Sequence, residues 1–288
     1  MSVVADTRAR LADAARRRAA LSGRPPRFAY THYFIEAEGF HSRIHLQNFW
    51  STFWPQVHEP ALAHITAFDA GGRRLGETTR SLPPFGSLFL EVSELLRELG
   101  STASEGMVAI DLEPSTEVAA QFNDLPDAEQ IEVKTPFWMA YYDGAENFMY
   151  VHSIETLGGE VFGAPALLRW SMTRHVGVGG SWRSWRLLEA DRLSDLQVVC
   201  MNTSPEPRFT RVGVYSPDDA VTLYQQPVEL APRAVARVRV PADELRAWPA
   251  RHPEVRHARI GMDPLLTSNG KPYVIMRYAD GPPSLHHG

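Results

Sequence analysis

A mainly β fold is expected of this sequence: two tandem antiparallel β-sandwich domains produced by an internal duplication, behind an N-terminal helix. Three observations predict it. Residues 33–144 recur in order at residues 186–281, at an offset that drifts from 153 to 137. Offsets that change only between elements are what a duplicated domain with altered loops leaves behind. Within each copy, apolar residues alternate with others at a period of two, the pattern of strands with one buried face. Turn residues punctuate these runs at short intervals, with few long helical stretches between them.

The elements follow in order. Residues 4–21 read as a helix rich in Ala and Arg, started by Asp6-Thr7 and ended by Gly23-Arg24-Pro25-Pro26. Leu11, Ala14, Ala15 and Leu21 give it only a thin apolar stripe. It is therefore expected to lie along the first domain as an accessory, with a basic arm for an acidic surface as the rival reading. The domains are placed at residues 1–26 (helical extension), 27–157 (first sandwich), 158–184 (connecting segment) and 185–288 (second sandwich).

Glu36-Ala37-Glu38 returns as Glu189-Ala190-Asp191, and Leu46-Gln47 as Leu196-Gln197. Ala63, Ile65 and Ala67 form one face of a strand whose second copy shows Thr210, Val212 and Val214. Asp69-Ala70-Gly71-Gly72 and Ser216-Pro217-Asp218-Asp219 are the matching turns. Leu82-Pro83-Pro84 matches Leu230-Ala231-Pro232, and Leu88, Leu90 and Val92 match Ala236, Val238 and Val240. These apolar positions are expected to be buried together within each copy. Helical turns follow at residues 93–99 and 241–248, with Ser93 and Asp243 as candidate caps. The halves close on strands at 137–142 and 273–278, each ending in an Asp-Gly turn.

The order of elements, above all Pro264-Leu265-Leu266-Thr267-Ser268-Asn269-Gly270-Lys271-Pro272-Tyr273-Val274-Ile275, resembles the small β-sandwich of the sensory rhodopsin transducer type. That resemblance implies a sandwich and carries no function with it; an immunoglobulin-like topology produces a similar pattern.

At 288 residues the chain is long enough for two domains, each burying its own core. Hydrophobic residues at 44% and charged residues at 22% describe a soluble globular protein. A formal net charge of −5 argues against nucleic acid as a partner, leaving a small molecule or a protein, with a homo-oligomer compatible. No apolar run approaches the ~20 residues of a membrane helix and the N-terminus has no hydrophobic signal core, so a cytoplasmic location is expected. The single cysteine, Cys200, lies in a strand-like run and reads as a buried thiol.

No named catalytic motif is present: there is no Gly-x-Ser-x-Gly elbow, and the glycines at 177–180 lack the Lys-Ser/Thr of a phosphate loop. Two clusters carry chemistry. The first is aromatic. Phe49, Trp50, Phe53 and Trp54 crowd one loop, whose second copy has no aromatic residue, and Trp138 and Tyr142 lie near the end of the first half. Such rings bind sugars or apolar molecules by stacking, so the leading expectation is a ligand- or partner-binding protein with an aromatic-lined inter-domain groove. The second cluster is imidazole. His152 and the pair His286 and His287 follow the same Asp-Gly turn in both halves, and His175 lies between them. Converging, they would hold a transition metal ion and make the chain a metal-dependent enzyme. A structural accessory subunit is the third reading. His41, Arg43 and His45 share one strand face, which spreads the two imidazoles about 13–14 Å apart, too far for one ion.

Overall fold

The computed structural model describes residues 29–118, 137–144, 147–152, 180–184, 187–189, 192–266, 272–279 and 281–287. The N-terminal helix expected at residues 4–21 and His175 lie outside them. The described residues are mainly β: sixteen strands make four four-stranded sheets, antiparallel throughout.

The first sheet has the order β1 (Ala29–Ile35), β6 (Glu105–Glu113), β3 (Ala61–Asp69) and β4 (Arg74–Leu82). The second runs β5 (Ser87–Glu91), β2 (His41–Gln47), β7 (Phe137–Tyr142) and β8 (Phe148–His152). The third runs β12 (Thr222–Leu230), β11 (Arg208–Tyr215), β14 (Arg259–Asp263) and β9 (Trp182–Arg183). The fourth runs β13 (Val235–Val240), β10 (Leu193–Met201), β15 (Tyr273–Tyr278) and β16 (Ser284–His287). Subtracting eight from each strand number of the third and fourth sheets reproduces the orders of the first and second.

The alternation sorts side chains as the period of two requires. Ala63, Ile65, Ala67 and Val92 are buried, and Leu88 and Leu90 pack half-buried against the same core. Val212, Val214, Val238 and Val240 are buried in a second core, with Ala236 half-buried against it. One equivalence is built from the same chemistry in both halves. The Asn48 amide donates to the carbonyls of Leu82 and Pro83, each at 3.2 Å; the Asn202 amide donates to those of Leu230 and Ala231, at 3.4 and 2.9 Å. Aligning these asparagines sets Leu46 opposite Cys200, so the expected match of Leu46-Gln47 with Leu196-Gln197 is corrected by four residues. A slip by an even number leaves every side chain on its own face, so alternation alone does not detect it.

Three helices lie wholly within the described residues: α1 (Trp50–Phe53), α2 (Val92–Glu98) and α3 (Ala242–Arg251). Val92, Leu95 and Leu96 bury one face of α2 at the i, i+3, i+4 spacing. In α3, Leu245 and Trp248 turn inward, and the Trp248 indole donates to the Val255 carbonyl at 2.7 Å. The expected caps are corrected: Glu91 and Pro241 hold the cap positions without side-chain cap bonds, and Ser93 and Asp243 fall inside the first turns. Among the described residues no helix is long and apolar enough to cross a membrane.

The fourth sheet is buried on both faces. Leu196, Val198, Cys200, Val274 and Met276 enter the second core, while Val199, Met201, Tyr273, Ile275 and Leu285 enter the first. At one margin of this contact Glu38, in the turn after β1, meets Arg237 at 2.8 Å and Arg239 at 3.1 Å, and its carbonyl accepts from Arg277 at 3.0 Å. At another, the Val235 N–H donates to the Ala70 carbonyl at 2.9 Å. Gly72, at φ +86°, presses so closely on the Pro232 carbonyl that a Cβ there would overlap it.

Candidate functional site

The second sheet differs from the fourth in that no element among the described residues covers its outer face. Its inner residues, Ile44, Leu46, Phe137, Met139 and Tyr141, are buried in the first core. The alternate positions point outward: His41, Arg43 and His45 on β2, Phe89 and Glu91 on β5, Trp138 and Tyr142 on β7, Phe148, Tyr150 and His152 on β8. Cross-strand register sets them side by side, His45 between Phe89 and Trp138, and Tyr142 between His41 and Phe148.

The result is a sheet of rings facing solvent. Phe89 is 65% exposed, Tyr150 56%, Phe148 43% and Trp138 37%. His45 lies edge-on to both Phe89 (4.7 Å between centroids) and Tyr150 (5.3 Å), and Phe148 stacks with Tyr142 at 5.1 Å. Large aromatic side chains usually bury most of their surface, so a contiguous exposed group of them makes this face the candidate site. A cleft of about 310 Å³ opens here, with His45, Phe89, Trp138 and Tyr150 in its walls.

Polar groups interleave with the rings. Arg43 forms an ion pair with Glu91, to which the Tyr142 hydroxyl also donates at 2.7 Å. Burial and that bond to Glu91 push the Tyr142 phenol up to about 12. Arg43 also lies over the Tyr142 ring, 5.1 Å from its centroid. Beyond it, Glu36 accepts from the Ser42 N–H at 2.8 Å and contacts His41 Nδ1 at 3.1 Å. Burial raises the Glu36 carboxyl in spite of these contacts. Burial, and after it Arg43, shift the His45 imidazole down, and its Nε2 is buried without a hydrogen-bond partner among the described residues.

Of the six aromatic residues expected to bind ligand, Trp138 and Tyr142 belong to this face. Trp50 and Trp54 do not: they are 3% and 5% exposed in the first core, with the Trp50 indole donating to the Leu112 carbonyl at 2.9 Å. Phe49 packs half-buried against Trp50, and Phe53 is exposed at the end of α1. Where the groove between the halves is expected, the outward residues of the fourth sheet pack into the first core. The expected ligand-binding set leaves out Phe89, Phe148, Tyr150, His45 and the Arg43–Glu91 pair, which share this face. Their signal was present in the alternation Leu88-Phe89-Leu90, where an aromatic side chain occupies the polar phase, and in the same irregularity along β7 and β8.

The histidines divide. His152 and His287 meet with ring centroids 4.9 Å apart, and Trp138 flanks His152 at 5.1 Å. With the asparagines aligned, these two histidines hold equivalent places on β8 and β16. His286 does not join them: as the next residue of a strand it points from the opposite face, opposite Val274 rather than Tyr273. Beneath the pair lies His32, fully buried, a residue that no sequence pattern singled out. Its Nε2 faces the Phe137 carbonyl at 3.2 Å and its Nδ1 the Tyr273 hydroxyl at 2.8 Å. A carbonyl only accepts, so Nε2 carries the proton and Nδ1 accepts from Tyr273. Burial pushes this imidazole down to about 3, with His287 and His152 adding to the effect against the Phe137 carbonyl. Both nitrogens of His32 are thus engaged, and among the described residues no three His, Cys, Asp or Glu are grouped to hold a metal ion. Of the expected metal ligands, His152 and His287 meet and His286 faces away, while His175 lies outside the described residues.

No protein-family description matches the sequence, and no curated protein matches it. Among solved structures, it is similar to a Bacteroides fragilis protein assigned as a β-galactosidase (11% identity, 92% of this chain and 34% of that chain, TM-score 0.19). It is also similar to a glycosyl hydrolase family 2 member from Bacteroides cellulosilyticus DSM 14838 (9% identity, 90% and 28% covered, TM-score 0.17). A β-D-mannosidase from Dictyoglomus thermophilum is a third (11% identity, 88% and 27% covered, TM-score 0.16). The chain spans about a third of the length of these proteins or less. Likeness at these TM-scores establishes neither a fold nor an activity for it.

Proposed function

We propose that the chain is a tandem pair of two-sheet β-sandwiches derived by duplication, and that its first copy binds a ligand on the open outer face of the second sheet. The repeated strand orders and the paired asparagines support the duplication. A duplicated unit makes the open face meaningful. The same face of the fourth sheet is covered by the first half, whereas that of the second sheet exposes Phe89, Trp138, Phe148 and Tyr150. Folding needs none of these rings outward, since the first core closes behind them.

The observation that carries the reading is this contiguous aromatic face with its cleft. Its test is thermal-shift screening of the intact protein against small molecules, oligomers and peptides, repeated with the double variant Phe89→Ala, Tyr150→Ala. Both side chains are exposed, so the variant should keep its stability to within roughly 0.5 kcal/mol. A ligand at 100 times its Kd raises stability by about 2.7 kcal/mol, and that gain should disappear in the variant. Ligands whose shift survives the double substitution would place the site elsewhere.

A further inference from the structure

Resting on that ligand-binding face, the geometry points to its occupant: a neutral saccharide, bound by stacking of pyranose rings on Trp138, Phe89 and Tyr150. The argument is one of chemical matching. The face presents flat rings, but it is not apolar. Arg43, Glu91, Glu36, His41 and His45 stand among the rings. A purely apolar ligand would strip water from the donor and acceptor positions that these groups still offer beyond their own pairings, and return nothing. A proline-rich segment would use the rings and leave the same groups dry.

Charge excludes ionic ligands on the other side. Glu91 is met by both Arg43 and the Tyr142 hydroxyl. Glu36 is met by His41 and by the Ser42 N–H. Each carboxylate has its own partner on the face, so among the described residues the face offers no unpaired charge of either sign to hold an anion or a cation. What remains is a ligand with apolar C–H faces wide enough to cover a ring and hydroxyls at its edge that both donate and accept. A pyranose has both.

Affinity electrophoresis of the full chain through gels containing β-glucan, xylan, galactomannan, polygalacturonate or no polymer tests this directly. Retardation is expected in at least one neutral polymer, insensitive to salt between 50 and 500 mM. Trp138→Ala and Phe89→Ala should each weaken it by tenfold or more. Phe209→Ala, which removes an exposed ring from β11, should leave it unchanged. Retardation by polygalacturonate alone, or loss of the neutral-polymer effect with added salt, overturns the saccharide assignment. So does a thermal-shift ligand of another class that depends on Phe89 and Tyr150, and in that case the binding face itself stands. If no ligand of any class depends on those two residues, the reading of the face falls together with the assignment.

Discussion

His32 shows what one residue contributes beyond packing. It sits fully buried where the two halves meet, with its imidazole held neutral and pushed down to about 3 from an ordinary value of 6.5. In the unfolded chain the same imidazole binds a proton below about pH 6.5. Between pH 6.5 and 3 the unfolded state therefore carries one more proton at this site than the folded state. This contribution is complete above pH 6.5 and is lost as pH falls, at up to about 1.4 kcal/mol per pH unit. Urea unfolding of the protein and of His32→Gln at pH 7, 6 and 5 measures it. The substituted protein should be less stable at pH 7, because the bonds to Tyr273 and Phe137 are disturbed, but its stability should fall less steeply by one proton. Parallel curves for the two proteins would show that His32 is not the titrating group.

At the scale of elements, the two asparagines do the same work in different halves. Each ends a strand, β2 or β10, and ties it to the carbonyls that end β4 or β12, before the chain enters β5 or β13. Both side chains are buried, so truncation leaves carbonyls short of a donor. Asn48→Ala and Asn202→Ala should each cost about 1–3 kcal/mol, by similar amounts, in chemical denaturation. A large cost for one and none for the other would count against their being equivalent. The helices are less alike. Helix α2 is held by an i, i+3, i+4 apolar face, α3 by Leu245 and an anchored Trp248, and neither has a side-chain cap.

At the scale of the whole molecule, the fourth sheet couples the halves, since its two faces serve both cores. The first half should not unfold ahead of the second. Tryptophan fluorescence and far-ultraviolet circular dichroism should report coincident transitions, as a single cooperative unit requires. Gly72→Ala tests the coupling from a distance. The new Cβ would overlap the Pro232 carbonyl from a left-handed backbone, so the turn must withdraw from the second half. The expected outcome is a loss of more than about 1 kcal/mol together with separation of the two transitions. Coincident transitions and unchanged stability would mean that this contact is not one that joins the halves.

Alternation, turn residues and the internal repeat were enough to read a mainly β chain, most of its strand positions, and which residues of each strand face inward. They work because side chains in a strand take opposite faces at every step, a rule that needs no knowledge of the partner strand. For the same reason Trp138 and Tyr142 were legible as ring-bearing positions near a strand end. What the rule leaves open is what lies across each face. Trp50 and Trp54 read as an aromatic loop and are core, because only the tertiary structure buries them and brings the Leu112 carbonyl to the Trp50 indole. His152 and His287 meet, while His286, beside one of them in sequence, points away, because adjacent residues in a strand part company. The register of β10 against β2 was four residues out, since an even slip changes no face. Tertiary structure alone decided that the fourth sheet would be covered and the second left open. That choice turns on which apolar sheet face finds a partner when the two halves of the chain close on each other, and it is recorded in contacts far apart in the chain.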